Sequence, residues 1–121
     1  MSTYITESRS KYEVSDCKLD EAVKWLLGIC NGVKTATYRS NTSIVTSDEE
    51  MFGGEVAYSW HEDVADFMER FCLPGSYATF RDDEGFYWYM AELMDDGSVE
   101  WTEKPIENPF EKRCDELEID E

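Results

Sequence analysis

Basic residues are scarce in most of this chain, and that scarcity says more than any motif in it. Only 11 of 121 residues are Lys or Arg against 28 Asp or Glu, a formal net charge of −17. The shortage is uneven. Residues 1–47 hold five acids and six bases, residues 48–121 hold 23 acids and five bases, and no carboxylate occurs from Ala22 to Ser47. Crowding like charges onto one body costs stability through self-repulsion, and solubility alone needs far less. Such a surface is repelled by anionic lipid and by DNA, which argues against direct binding to either. The complementary expectation is a positively charged partner.

Other absences narrow the class further. No apolar run approaches the roughly 20 residues that cross a bilayer as a helix. The start, Met1-Ser2-Thr3-Tyr4-Ile5, shows no basic region followed by an apolar stretch, so no secretory signal is read there. Histidine occurs once, as His61, and Cys17, Cys30, Cys72 and Cys114 include no Cys-x-x-Cys pair. That spacing argues against a structural zinc site, and without a signal peptide the cysteines are expected as reduced, buried thiols in a cytoplasmic protein.

Motifs of catalysis are missing too. Gly53-Gly54 lacks the flanking pattern and the lysine of a phosphate loop. Asp82-Asp83-Glu84 and Asp95-Asp96 lack the alternating acids, central glycine and final Glu of a calcium loop, and read as turn chemistry. His61 has no nucleophile motif around it and reads as a surface histidine near a helix start. The expectation is a protein that is not an enzyme and that holds no cofactor and no metal.

Against these absences stands an apolar content of 41%, with 14% aromatic residues. That is too rich for intrinsic disorder, so a folded globule with an acidic exterior is expected. The length suits one domain, assigned to residues 1–110. Residues 111–121, with six acids and two bases, read as a mobile, solvated tail.

Periodicity supplies the elements. Leu19, Ala22, Val23, Leu26, Leu27 and Cys30 predict a helix over Cys17–Asn31, capped by Ser15 or Asp16 and left through Gly32. Thr35–Arg39 and Thr42–Thr46 flank Ser40-Asn41 as a hairpin. Ser47–Gly54 reads as a loop and Glu55–Tyr58 as a short strand. Ser59-x-x-Glu62 is a capping-box pattern opening a second helix whose face is Val64, Phe67, Met68 and Phe71, ended by Pro74-Gly75. Glu62, Asp63, Asp66 and Glu69 would then form a solvated flank. Ser76–Arg81, Phe86–Leu93 and Ser98–Glu103, joined by acidic turns ending in Gly85 and Gly97, predict a three-strand meander. The fold class expected is α+β, with two main helices packed on an antiparallel sheet that ends in this C-terminal meander.

The acids are the candidate site, because their number needs explaining. Same-side residues of a strand repeat at roughly 6.6 Å, so carboxylates on strands and adjoining turns can imitate a nucleic-acid backbone. Glu92, Glu100 and Glu103 with the two acidic turns would form such a track. The expected partner-binding set is therefore Asp48, Glu49, Glu50, Asp82, Asp83, Glu84, Glu92, Asp95, Asp96, Glu100 and Glu103, with Tyr87 and Tyr89 on one face of the middle strand as aromatic contacts.

A small, strongly acidic α+β chain with the runs Asp48-Glu49-Glu50, Asp82-Asp83-Glu84, Asp95-Asp96 and Asp115-Glu116 resembles the inhibitors that phages and mobile elements carry against host defence, the anti-CRISPR proteins and anti-restriction DNA mimics. The resemblance lies in composition and carries over no individual residue. It implies blockade of a Lys/Arg-lined groove in a CRISPR effector, restriction enzyme or other nuclease. Two other readings share the same features: an immunity protein for a basic nuclease toxin, and an intracellular interaction domain whose acids are only a solvated coat.

Overall fold

The structure is a computed structural model that describes residues 2–48, 51–57, 59–82, 87–105 and 111–118. Its strands are β1 (Ser2–Ser15), β2 (Val33–Arg39), β3 (Thr42–Ser47), β4 (Gly54–Ala57), β5 (Tyr77–Asp82), β6 (Tyr87–Leu93) and β7 (Val99–Pro105). A 3-10 turn at Asp16–Lys18 precedes α1 (Leu19–Leu27), and α2 (Trp60–Phe71) and α3 (Glu111–Glu118) complete the chain. The strands run in the order β2-β3-β1-β5-β6-β7, with β4 also paired to β1. The expectation of two main helices on a sheet is therefore overturned: an antiparallel sheet dominates, and its central strand, β1, lies in a segment that sequence periodicity left unassigned.

One local irregularity explains why β1 escaped notice. Its register against β5 shifts between Glu7 and Ser10. A bulge adds one residue to one strand, so the side-chain alternation inverts across it. Ile5, before the bulge, and Tyr12 and Val14, after it, thus enter the same core although their numbers differ in parity. Arg9, Lys11 and Glu13 are turned to the other face.

On the other side of β1, β3 and β4 share one position. β3 pairs Tyr12 with Val45 and β4 pairs Ile5 with Gly54, so six β1 residues face eight of the opposing chain between those pairs. Glu7, Ser10, Thr46 and Asp48 line an opening at this place. Met51 and Phe52 fold back from it into the core, and the Glu7 carboxylate ties the segment by accepting the Phe52 N–H (3.0 Å) and the Tyr12 hydroxyl (2.8 Å).

Both helices α1 and α2 pack on one face of the sheet. Ala22 and Leu26 from α1 and Val64, Phe67, Met68 and Phe71 from α2 meet Ile5, Val14, Phe80, Ala91 and Leu93. The α1 helix is shorter than predicted: the chain leaves it at Gly28, and Leu27 and Ile29 stay exposed. Neither predicted side-chain cap forms. Asp16 instead accepts the Ser43 hydroxyl (3.0 Å), and α2 begins on the Ser59 carbonyl, which takes the Glu62 N–H (2.9 Å).

The segment expected as a solvated tail forms α3 over residues 111–118 and lies on the opposite face of the sheet. Cys114 is buried there with Tyr77 and Met90, and Leu117 and Trp88 pack beside them. Arg9 binds Asp115 and Glu118 (both 2.9 Å), Lys11 donates to the Leu117 carbonyl (2.9 Å), and Tyr77 donates to Glu118 (2.6 Å). A lone acidic run reads as solvated; a cationic strip on β1 gives this one a place to dock.

Phe67 sits at the centre of the main core, with Tyr12, Trp25, Phe52 and Phe71 rings 5.4–5.9 Å away. Phe67→Ala should cost about 3–5 kcal/mol in urea unfolding, whereas Ile29→Ser at an exposed position should stay within about 0.5 kcal/mol. Equal effects from the two would contradict this packing.

Candidate partner-binding surface

Strand pairing decides which of the sequence-predicted residues meet. Tyr89 lies opposite Glu103 on β7 and opposite Phe80 on β5. Alternation then puts Asp82, Tyr87, Tyr89 and Glu103 on one face, at one end of the meander. The same face carries Trp101, and α2 begins directly beside it. Trp60 stands 5.6 Å from Trp101 and 5.8 Å from Tyr89, ring centre to ring centre, and His61 stands 6.3 Å from Trp101. Together with Thr102 and Glu103 these rings line an open groove of about 360 Å³. The exposed carboxylates Glu62 and Asp63 follow His61 in the first turn of α2.

The bases at this end are sorted away from the groove. Arg81 and Trp88 are cross-strand partners on the opposite face, with the guanidinium 5.9 Å from the ring centre, and Lys104 is also paired with Trp88. This sorting follows from register alone, since Arg81 and Lys104 alternate with Asp82 and Glu103.

Other predicted acids are placed elsewhere, and Glu92, Glu100 and Glu103 do not share one face. Glu92 and Glu100 are cross-strand partners on the α3 side, opposite in facing to Glu103. Arg113 relieves their repulsion by holding Glu92 at 2.9 Å. Asp95 and Asp96 lie at the far end of β6, where the Asp96 carboxylate accepts the Ser98 N–H (2.9 Å) and hydroxyl (2.6 Å) and is held below the usual range by them. Gly97 there has a φ of +87°, which that tight turn demands.

Asp48 follows β3 at the open end of the β2–β3 hairpin. It binds Lys34 (2.6 Å), and its N–H reaches the Gly32 carbonyl (3.1 Å). Gly32 has a φ of +70°, and a Cβ on it would fall on the Asp48 carboxylate. Glu49, Glu50, Asp83 and Glu84 lie outside the described residues.

The cysteines are free thiols. Burial pushes Cys72 up to about 12 and raises Cys114, whereas Cys17 is exposed and departs from the expectation of burial. Among the described residues no cluster of His, Cys, Asp or Glu is arranged for a metal, and no helix is long and apolar enough to cross a membrane. Comparison with protein-family models, curated proteins and solved structures finds no match, so no role reaches this chain from a relative.

Sequence reasoning missed Trp60, Trp101 and Thr102 and gave His61 no part in the surface. The available signal was weak: Trp101 and Glu103 share strand parity, and Trp60 follows the Ser59 that starts α2.

Electrostatics of the groove are testable through Tyr89. Burial raises its phenol above the ordinary tyrosine range, and Glu103, Asp82 and Tyr87 act in the same direction. Burial likewise raises Tyr12 and Tyr77. A phenol raised in the folded state ionises first in the unfolded chain, near pH 10. Its stabilising contribution is complete below that pH and is lost as pH climbs through the folded values. Urea midpoints should therefore fall above about pH 10, and Glu103→Gln should bring the Tyr89 titration, followed by NMR of its ring carbon, back toward the ordinary value. An unmoved Tyr89 titration would separate Glu103 from the groove.

Proposed function

We propose that this protein is an acidic inhibitor that binds a basic, nucleic-acid-handling protein and occupies the groove in which that protein holds its nucleic acid. CRISPR effectors, restriction enzymes and other nucleases are the partner class. The observation that carries this reading is the disposition of the few bases. Arg9, Lys34, Arg39, Arg70 and Arg113 are engaged with the chain's own carboxylates, and Arg81 lies over Trp88. With 28 acids against 11 bases, many carboxylates remain beyond these pairs. Beside the groove, Glu62, Asp63 and Glu103 add exposed charge to half-buried aromatic rings. Aromatic anchors within a complementary field are what a tight protein interface uses, and the charge steers a basic partner toward it.

The test adds the purified protein to cleavage reactions run by a panel of CRISPR effectors, restriction enzymes and nuclease toxins. Inhibition relieved by excess nucleic acid is the expected result. Association should slow at least about tenfold between low and high salt, because exposed charges are screened within about 8 Å at physiological ionic strength. The triple change Glu62→Gln, Asp63→Asn, Glu103→Gln should slow it similarly with the fold intact. Association insensitive to both salt and these changes would remove the reading and leave the charge as a solvated coat.

A further inference from the structure

The groove at the start of α2 has a chemistry of its own. Its rings meet edge to face, as several rings of the main core also do. Trp60 meets Trp101 at 89° and Tyr89 at 75°, and His61 meets Trp101 at 84°. Trp60, Tyr89 and Trp101 pack against the main core and keep part of their surface on the groove they line. The face of an aromatic ring is electronegative and attracts a cation lying within about 6 Å of its centre. At the rim stands the exposed Glu103, with Asp82 and Tyr87 on the same face of the sheet. An apolar floor beneath a carboxylate rim suits a group that is flat, cationic and weakly hydrated.

Guanidinium meets that description better than ammonium. It is planar, stacks on aromatic rings, and gives up its hydration more readily. The chain uses the same interaction within itself, where Arg81 lies over Trp88 and Arg39 lies 5.1 Å from the Tyr38 ring centre. The volume of about 360 Å³ is near the lower end of ligand pockets, which run from about 300 to 1,000 Å³. It suits one long side chain rather than a folded element.

We infer that this groove receives an arginine side chain from the basic partner, with the guanidinium against Trp60, Trp101 and Tyr89 and its charge met by Glu103. The inference rests on the inhibitor reading for the source of the arginine, and it assigns that reading its anchoring contact. Charge elsewhere on the surface would then govern the rate of encounter, and the groove would govern how long the complex lasts.

N-acetyl-arginine amide serves as the probe, titrated into the full-length protein while the Trp60 and Trp101 indole resonances are followed by NMR. The citrulline amide, which has nearly the same shape without the charge, is the control. Saturable shifts at both indoles with the arginine probe, at least about threefold weaker with citrulline, are expected. Glu103→Gln, a change at an exposed position, should weaken the arginine response by a similar factor. Trp101→Phe keeps an aromatic ring and should retain part of the response, whereas Trp101→Leu should abolish it. No saturable shift, an equal response to citrulline, or indifference to Glu103→Gln would overturn the inference. Because the probe needs no partner, its failure leaves the inhibitor reading standing without this anchor. Arginine binding in a protein that inhibits none of the nucleases would remove the inhibitor reading instead.

Discussion

The hydrogen-bonded ladder along β1 is the constraint on which the rest of the structure depends. This strand gives one edge to β3 and β4 and the other to β5, so it is buried in the middle of the sheet while carrying Arg9, Lys11 and Glu13. Lys11 is only 6% exposed and Glu13 only 3%. A charge taken out of water must find compensating partners, or the fold that buries it is lost. Glu13 finds Arg39 at 3.3 Å on the neighbouring hairpin. Lys11 finds the Leu117 carbonyl and the rings of Tyr38 and Tyr77. Covering the charged face of β1 and docking α3 are therefore one event, and the bulge that turns those charges away from the aromatic core makes both necessary.

That arrangement also orders the charge of the whole molecule. Three of the few bases sit where burial or repulsion is worst: Arg9 under α3, Arg39 on Glu13, Arg113 between strand and helix. Paired bases cancel charge locally and do little for the outward field. The field outside is set by carboxylates that need no internal partner to remain folded. Self-repulsion among them is a standing cost, and the two-sided packing of the sheet is what offsets it.

Local signals in the sequence were legible where local geometry decides the outcome. Ser40-Asn41 turns the β2–β3 hairpin, with Asn41 at a φ of +66° that asparagine tolerates. The apolar face of α2 and the Asp95-Asp96-Gly97 turn are likewise readable within a few residues. The architecture was not legible, because it hangs on β1. Around the bulge, Ile5, Tyr12 and Val14 keep no common alternation, and the polar residues between them read as neither strand nor helix. Helix α3 was hidden for a related reason: among the described residues it places just Cys114 and Leu117 in the second core, and its acids gain meaning only opposite Arg9. Of the candidate site, Tyr87, Tyr89, Asp82 and Glu103 were visible as types, but the groove is made by Trp60 and Trp101, 41 positions apart in sequence and joined only through the sheet.

Strand parity bears directly on how such a surface can imitate a nucleic acid. A continuous carboxylate track along β7 would need Glu100 and Glu103 on one side, and an odd separation puts them on opposite sides. Glu100 lies with Glu92 on the α3 face, where Arg113 takes up part of the charge. What the register collects instead is a compact end surface, with acids around an aromatic depression. A linear mimic would draw affinity from many weak phosphate-like contacts and would tolerate losing any one of them. A compact surface concentrates affinity in a few desolvated anchors ringed by charge. On the proposed reading the long-range field comes from the acids as a body and the short-range fit from the rings, with Glu103 taking part in both. The proposed inhibitor would accordingly be recognised by where its aromatic rings sit among its acids, more than by how many acids it has.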